Sequence, residues 1–141
     1  MQPRSNPLHA TVADLNAVLG ATRFADPFGF KVLSCAPGEC ELELPFHPSL
    51  ERPGGVINGI ALMGAADVAM WLAIMTLRGT TEQWVTGDLK TAFLRGGRAE
   101  NVVCNARVMK LAARSAYGTA ECRTTASALL THHVVTYLRA D

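Results

Sequence analysis

The sequence predicts an α+β fold: an antiparallel sheet of about six strands wrapped around one long central helix, with a short N-terminal helix before it. Three observations lead there. From Gly54 to Leu77 the chain is mostly apolar and carries a single charge, Asp67. On both sides of that run lie segments in which apolar and polar residues alternate with a period of two. The links between the later segments, at Ala113-Arg114 and around Ser127, are short enough to require hairpins, which makes the sheet antiparallel. A helix that is apolar on nearly all sides needs cover on nearly all sides, and one sheet curling around it is the economical packing.

The elements follow in order. Thr11-Val12-Ala13-Asp14 matches the S/T-x-x-D/E helix start, with Gly20 as its stop, and Leu15, Val18 and Leu19 give that helix an apolar stripe. Residues 1–25 read as a leader and peripheral helix of one domain spanning 1–141. Phe28 to Cys35 is the first strand and Pro37-Gly38 the turn. The second strand sets Glu39, Glu41 and Glu43 against Cys40, Leu42, Leu44 and Phe46. Those three carboxylates are the solvent face of a strand rather than an acid/base cluster. Pro45 to Gly55 is a loop broken by prolines and glycines.

The central helix runs from about Asn58 to Leu77 and places Ile60, Met63, Gly64, Asp67, Trp71 and Ile74 on one face, so Asp67 sits inside an apolar stripe rather than on a wet side. Four strands close the chain: Trp84 to Leu94, Asn101 to Ala112, Ser115 to Ala126 and Ala128 to Leu138. The third of these puts Ala116, Gly118, Ala120, Cys122 and Ala126 on one face, small enough for a helix to approach closely. Such a sheet keeps an outer face and free edges, so self-association is expected.

Composition bounds the function. Net charge is +1 over 141 residues, which gives no case for nucleic acid. Its distribution is uneven: residues 1–77 hold four Lys/Arg against seven Asp/Glu, and residues 78–141 hold nine against five. A basic second half suits an anionic small molecule or simply a solvated surface. Cys35, Cys40, Cys104 and Cys122 form no C-x-x-C pair and have no histidine at zinc-ligand spacing, so no metal is expected. The opening Met1 to Pro7 lacks the apolar stretch of a signal peptide, and the expectation is a reduced, cytoplasmic protein. The apolar run has the length of a membrane span, but the aspartate near its centre and its many alanines favour a helix buried in a domain, with no membrane partner.

Several catalytic motifs are absent. There is no G-x-S-x-G elbow, phosphate-binding loop, G-x-G-x-x-G turn or H-E-x-x-H helix. What remains is Asn58-Gly59 at a helix start and Asp67 about two turns on. Unpaired N–H groups at the positive end of a helix suit a carbonyl oxygen becoming an oxyanion. A desolvated carboxylate suits a general base or nucleophile, and equally a structural carboxylate paired with loop amides or an arginine. Asn58 is also an ordinary helix cap. Gly59 and Asp67 lie about 12 Å apart by helix rise. They act on one atom only if a second subunit supplies half the site.

Gly54-x-x-x-Asn58-Gly59, then Ala66-Asp67-x-Ala69, then Val85-Thr86-x-Asp88-Leu89 with Phe93-Leu94, resembles the hotdog-fold acyl-CoA thioesterases of the phenylacetate-degradation type over roughly residues 28–138. The resemblance implies a hotdog fold, paired subunits with active sites at the dimer interface, as a homodimer or dimer of dimers, and hydrolysis of an acyl-CoA thioester without a cofactor. It implies that Asp67 is the catalytic carboxylate, that the Gly59 amide polarises the thioester carbonyl, and that Thr86 helps position the water. It also implies that Arg95 and Arg98 lie where CoA phosphates are met. Asn58 stands where the family usually has histidine, and Arg52 near the place of a common asparagine. Arg52 would then bind phosphate or a carboxylated acyl group, or pair with Asp67 and silence it. Trp71, Phe93 and Met63 serve either an acyl pocket or the core. Two alternatives stay open: a non-catalytic acyl-CoA-binding hotdog protein, and an acyl-thioester hydratase or dehydratase, for which His47 is the one histidine near the helix.

Overall fold

In the computed structural model, which describes residues 6–141, helix α1 spans Val12–Gly20 and begins on the expected cap. The Thr11 side chain accepts from the Asp14 N–H, and the Asp14 carboxylate accepts from the Thr11 N–H. The leader reading of Met1 to Ser5 lies outside the described residues. Strands β1 (Lys31–Ala36) and β2 (Glu39–Leu44) follow, then a two-stranded ribbon of β3 (Glu51–Arg52) and β4 (Val56–Ile57), helix α2 (Gly59–Arg78), and strands β5 (Trp84–Phe93), β6 (Val102–Leu111), β7 (Ser115–Thr124) and β8 (Leu129–Arg139). Six of them form one antiparallel sheet in the order β1-β2-β6-β7-β8-β5. This is the hotdog fold: the sheet curls around α2, which packs mainly on β6, β2 and β7.

Two expectations need correction. The first strand starts at Lys31, not Phe28, because Arg23–Phe28 forms a 3-10 helix that ends on Gly29 in the left-handed region (φ 68°). The Pro45–Gly55 loop is also more ordered than its composition suggests, holding a 3-10 turn at Pro48–Leu50 and strand β3.

Small residues on β7 do what their pattern predicts, except that Ala126 lies beyond the strand, which ends at Thr124, and is exposed in the turn. Ala116, Ala120 and Cys122 are buried, and at Gly118 an added Cβ would meet the Met70 methyl at 2.6 Å and the Arg107 carbonyl oxygen at 2.2 Å. Helix α2 is long and apolar enough to span a membrane (mean hydropathy 1.9), yet 67% of that window is buried inside the fold. Its buried Thr76 donates to the Ala73 carbonyl and accepts from the Gly38 N–H, tying the β1–β2 turn to the helix. The sheet's two edges differ. Beside β1, the Asn16 amide of α1 bonds both the N–H and the carbonyl of Val32, as a neighbouring strand would. Strand β5 has β8 as its only sheet neighbour among the described residues.

Candidate active site

The chain turns from α2 straight into β5, so the strand runs back along the helix it has just left. Thr86 therefore meets the middle of α2, and Phe93 meets its start. Both side chains point inward, although they are seven residues apart and a regular strand would place them on opposite faces. A bulge explains this: Thr86 pairs with Tyr137 and Asp88 with Thr136, which leaves Gly87 unpaired. On the partner strand Tyr137, Val135, His133 and Thr131 are all buried, and they oppose Thr86, Leu89, Thr91 and Phe93.

Asp67 is the centre of the first group. Its Oδ1 accepts from the Thr86 hydroxyl at 2.6 Å, and the Tyr137 hydroxyl lies 2.7 Å from both Oδ1 and the Asp67 backbone carbonyl. No hydrogen bond within the described residues engages Oδ2. Burial, and then the negative charge of Asp67, push the Tyr137 hydroxyl well above the usual tyrosine range, so it stays protonated and donates. The cavity beside the carboxylate has a volume of about 300 Å³ and is lined by Phe24, Val68, Trp71, Trp84, Val85, Thr86 and Tyr137. Arg78 braces Trp84, with its guanidinium carbon 5.8 Å from the ring centroid, and is itself bonded to Glu82.

The expectation that Asp67 lies on a dry helix face is corrected here. Asp67 is half-buried, and its neighbours on the face change from exposed Ile60 (75%), through half-buried Met63, Gly64 and Trp71, to buried Ile74. The chain's own sheet covers the other sides of α2 and leaves the first three turns of this one open.

The start of α2 forms the second group. Asn58 caps the helix: its Oδ1 accepts from the Ala61 N–H and its Nδ2 donates to the Leu50 carbonyl, both at 2.8 Å. The N–H groups of Gly59 and Ile60 have no helical carbonyl below them. The Phe93 ring lies so close to Gly59 that a Cβ there would sit 2.8 Å from Cε1. A cavity of about 430 Å³ opens here, lined by Arg52, Ile57, Gly59, Leu62, Phe93, Arg95 and their neighbours. Arg98 lines neither cavity and donates to the Gly54 carbonyl at 3.0 Å.

The structure thus gathers Asp67 with Thr86 and Trp71, and Gly59 with Arg52, Arg95 and Phe93, in separate cavities. Met63 lines neither. Arg52 and Asp67 are not paired within the chain. Tyr137, Trp84 and Phe24 are the residues that sequence reading passed over. Tyr137 was legible only as one inward position on β8; its meeting with Asp67 needs the strand register.

A model of the thioesterase superfamily matches residues 54–131, a span that contains Gly59, Asp67, Thr86, Phe93 and Arg95. The chain belongs to that superfamily. It is a thioester hydrolase, and acyl-thioester hydrolysis is its activity. The solved structure of a conserved Pseudomonas aeruginosa protein, PA5202, is 30% identical and superposes with a TM-score of 0.80 over 84% of this chain and 94% of that one. The Escherichia coli PaaI protein, from the phenylacetic acid degradation operon, shares the fold at 16% identity, with a TM-score of 0.81 over 89% and 90% of the two chains. A curated Thermoplasma acidophilum protein that carries an esterase name, Ta0293, is 27% identical over 104 residues, which is 74% of this chain and 78% of that one.

Other nucleophiles and bases stand apart from the Asp67 and Gly59 cavities of this thioesterase. Burial pushes the Cys40 thiol up to about 12, far from the thiolate a nucleophile needs. His133 is fully buried, with Thr91 at Nδ1 and Thr131 at Nε2. His47 bonds Ser49 and lines neither cavity.

Proposed function

We propose that this thioesterase hydrolyses the CoA thioester of an aryl or medium-length acyl group, working as a homodimer or dimer of dimers in the cytoplasm with no cofactor. Coenzyme A enters as part of the substrate. In this reading Asp67 of one subunit and the Gly59 N–H of its partner address the same thioester. Water bonds to the thioester carbon as it gives its proton to Asp67, and the resulting oxyanion lies against the N–H. Collapse breaks the C–S bond, and the thiolate leaves and takes up the proton. The products are a free acid and the CoA thiol. Direct attack by the carboxylate, followed by hydrolysis of the anhydride, gives the same products.

One observation carries the reading. A carboxylate held by two hydroxyls and a pair of free helix N–H groups lie on one helix, about 12 Å apart by rise, and open into different cavities. One chain cannot bring both to one carbonyl, whereas two chains facing each other can. Apolar side chains left uncovered around this face, Ile60, Phe93, Leu94 and Phe24, are what a second copy would bury. The rings of Phe24, Trp71 and Trp84 beside Asp67 favour an aryl or chain-like acyl group, and Arg52 and Arg95 suit CoA phosphates. In this reading Asn58 sets the helix start and Arg98 the adjoining turn. Hydratase chemistry, which works with a histidine, finds none lining either cavity.

Free-thiol release from aromatic, short, medium and long acyl-CoA esters tests the proposal. Wild-type turnover that Asp67→Asn lowers by about two or more orders of magnitude is the expected result. Tight CoA-ester binding without turnover would replace it with the acyl-CoA-binding alternative.

A further inference from the structure

We infer that Tyr137 is a positioning residue for hydrolysis: its hydroxyl pins Asp67 at both the backbone carbonyl and Oδ1, and so aims Oδ2 at the reacting water. The inference rests on the proposal that Asp67 is the base or nucleophile, and it assigns a task to a residue on a different strand.

The geometry requires a specific donor. An aspartate on a helix turns about χ1 and χ2, and each wrong rotamer moves the oxygens by more than an ångström. Thr86 alone fixes one oxygen at one distance and leaves the carboxylate free to swing about that contact. Tyr137 adds a second donor from β8, 2.7 Å from the same oxygen, and reaches the Asp67 carbonyl at the same distance. Tyr137 is 4% exposed and comes from a strand between β7 and β5, so the hydroxyl is a fixed point. With two donors on Oδ1, the lone pairs of Oδ2 are the ones left for water.

The two acceptors also let one proton follow the reaction. While Asp67 is charged, the Tyr137 hydrogen belongs on Oδ1, the stronger acceptor. Once Oδ2 takes the proton from water, Oδ1 becomes a neutral carbonyl oxygen. The same hydrogen then turns to the backbone carbonyl without movement of a heavy atom. The tyrosine keeps its own proton throughout, and no group is left unpaired in either state.

Tyr137→Phe keeps the ring and removes the hydroxyl. The expected result in the full-length enzyme is a kcat lowered about 10- to 100-fold, the scale of a misplaced catalytic group, with KM within about twofold. In an Asp67→Asn background the same substitution changes the residual rate by less than about twofold, because no carboxylate remains to be aimed. Equal losses in both backgrounds would mean that Tyr137 serves only packing, and would overturn the inference. So would a full-rate Tyr137→Phe enzyme beside an inactive Asp67→Asn one. An active Asp67→Asn enzyme would instead overturn the role of Asp67, and this inference with it. A fluorine label needs no active variant: the chain has two tyrosines, and Tyr117 is exposed on the outer face. With 3-fluorotyrosine at both, Asp67→Asn shifts the Tyr137 resonance and leaves that of Tyr117 in place. An unmoved Tyr137 signal would show that the two groups are not in contact, and the inference would fall.

Discussion

Deleting Gly87 is the sharpest test of how this strand builds the site. Without the extra residue, β5 returns to strict alternation, and Trp84 and Thr86 change faces together. Trp84 is 6% exposed and packs against Arg78 and the Asp67 cavity. Turning it outward exposes on the order of 200 Å² of ring, which at about 25 cal/mol per Å² costs about 5 kcal/mol. The half-exposed Thr86–Asp67 hydrogen bond is lost as well. A loss of that size approaches the whole stability of a small domain, about 5–15 kcal/mol, and lowers the melting temperature by roughly 10–20 °C. The control is Gly87→Ala, which keeps the bulge. Gly87 does not have a positive φ, and the added Cβ meets the Leu138 side chain at 3.1 Å (a residue 46% exposed) and the Thr136 carbonyl oxygen at an ordinary 3.5 Å. Its cost is about 1 kcal/mol or less. Thermal unfolding followed by circular dichroism, with thiol release measured well below both midpoints, reads the two effects separately. A deletion variant with the wild-type midpoint and rate would refute the claim that the bulge sets which side of β5 faces Asp67.

Two further outcomes follow from other parts of the fold. Gly118→Ala drives a Cβ into the Arg107 carbonyl, a backbone atom with nowhere to go, and lowers stability by about 1–3 kcal/mol; unfolding in urea should show it with kcat unchanged, and an unmoved midpoint would mean that β6 yields without cost. Glu82 is held below its ordinary value of 4.5, first by its hydrogen bond from Arg78 and then by the charges of Arg78 and Arg139. A depressed folded value means that its contribution is complete above about pH 4.5 and is lost as pH falls through the folded value. The urea midpoints of wild type and Glu82→Gln should therefore differ most near neutrality and converge on acidification, whereas a constant difference would rule out the ion pair as the cause.

What the sequence disclosed and what it hid have different physical origins. Alternation reports which residues share a face, and it located the last four strands to within two residues, helped by the hairpins that join β6, β7 and β8 and leave little freedom at their shared ends. The cap at Thr11 was readable because capping is local to four residues. Gly29 and Gly87 were not readable, because a glycine in a left-handed turn and a glycine in a bulge look alike until the chain on either side is placed. Tyr137 was hidden for a related reason: its place opposite Thr86, beside Asp67, is set by a strand register that Gly87 shifts.

Helical periodicity has a matching blind spot, and Asp67 exposes it. The 3.6-residue repeat puts Ile60, Met63, Gly64, Asp67 and Trp71 on one face, and an apolar helix face is ordinarily a buried one. Periodicity says nothing about what covers a face. The sheet of this chain covers the other sides, and Ile60 is left 75% exposed at one end of a stripe whose other end, Ile74, is buried. An apolar stripe that a protein leaves open is costly in water unless something else closes it. On the proposed reading the closing surface is the same stripe of a second copy, which explains why the carboxylate and the free N–H groups share this face and why neither cavity holds both. Such a pairing has a consequence that does not depend on catalysis. A charged residue at Ile60 should weaken self-association while leaving the fold of each chain intact, because that side chain touches little of its own subunit. Sedimentation of Ile60→Asp decides it: a species of unchanged size would mean that some other surface joins the copies, or that none does.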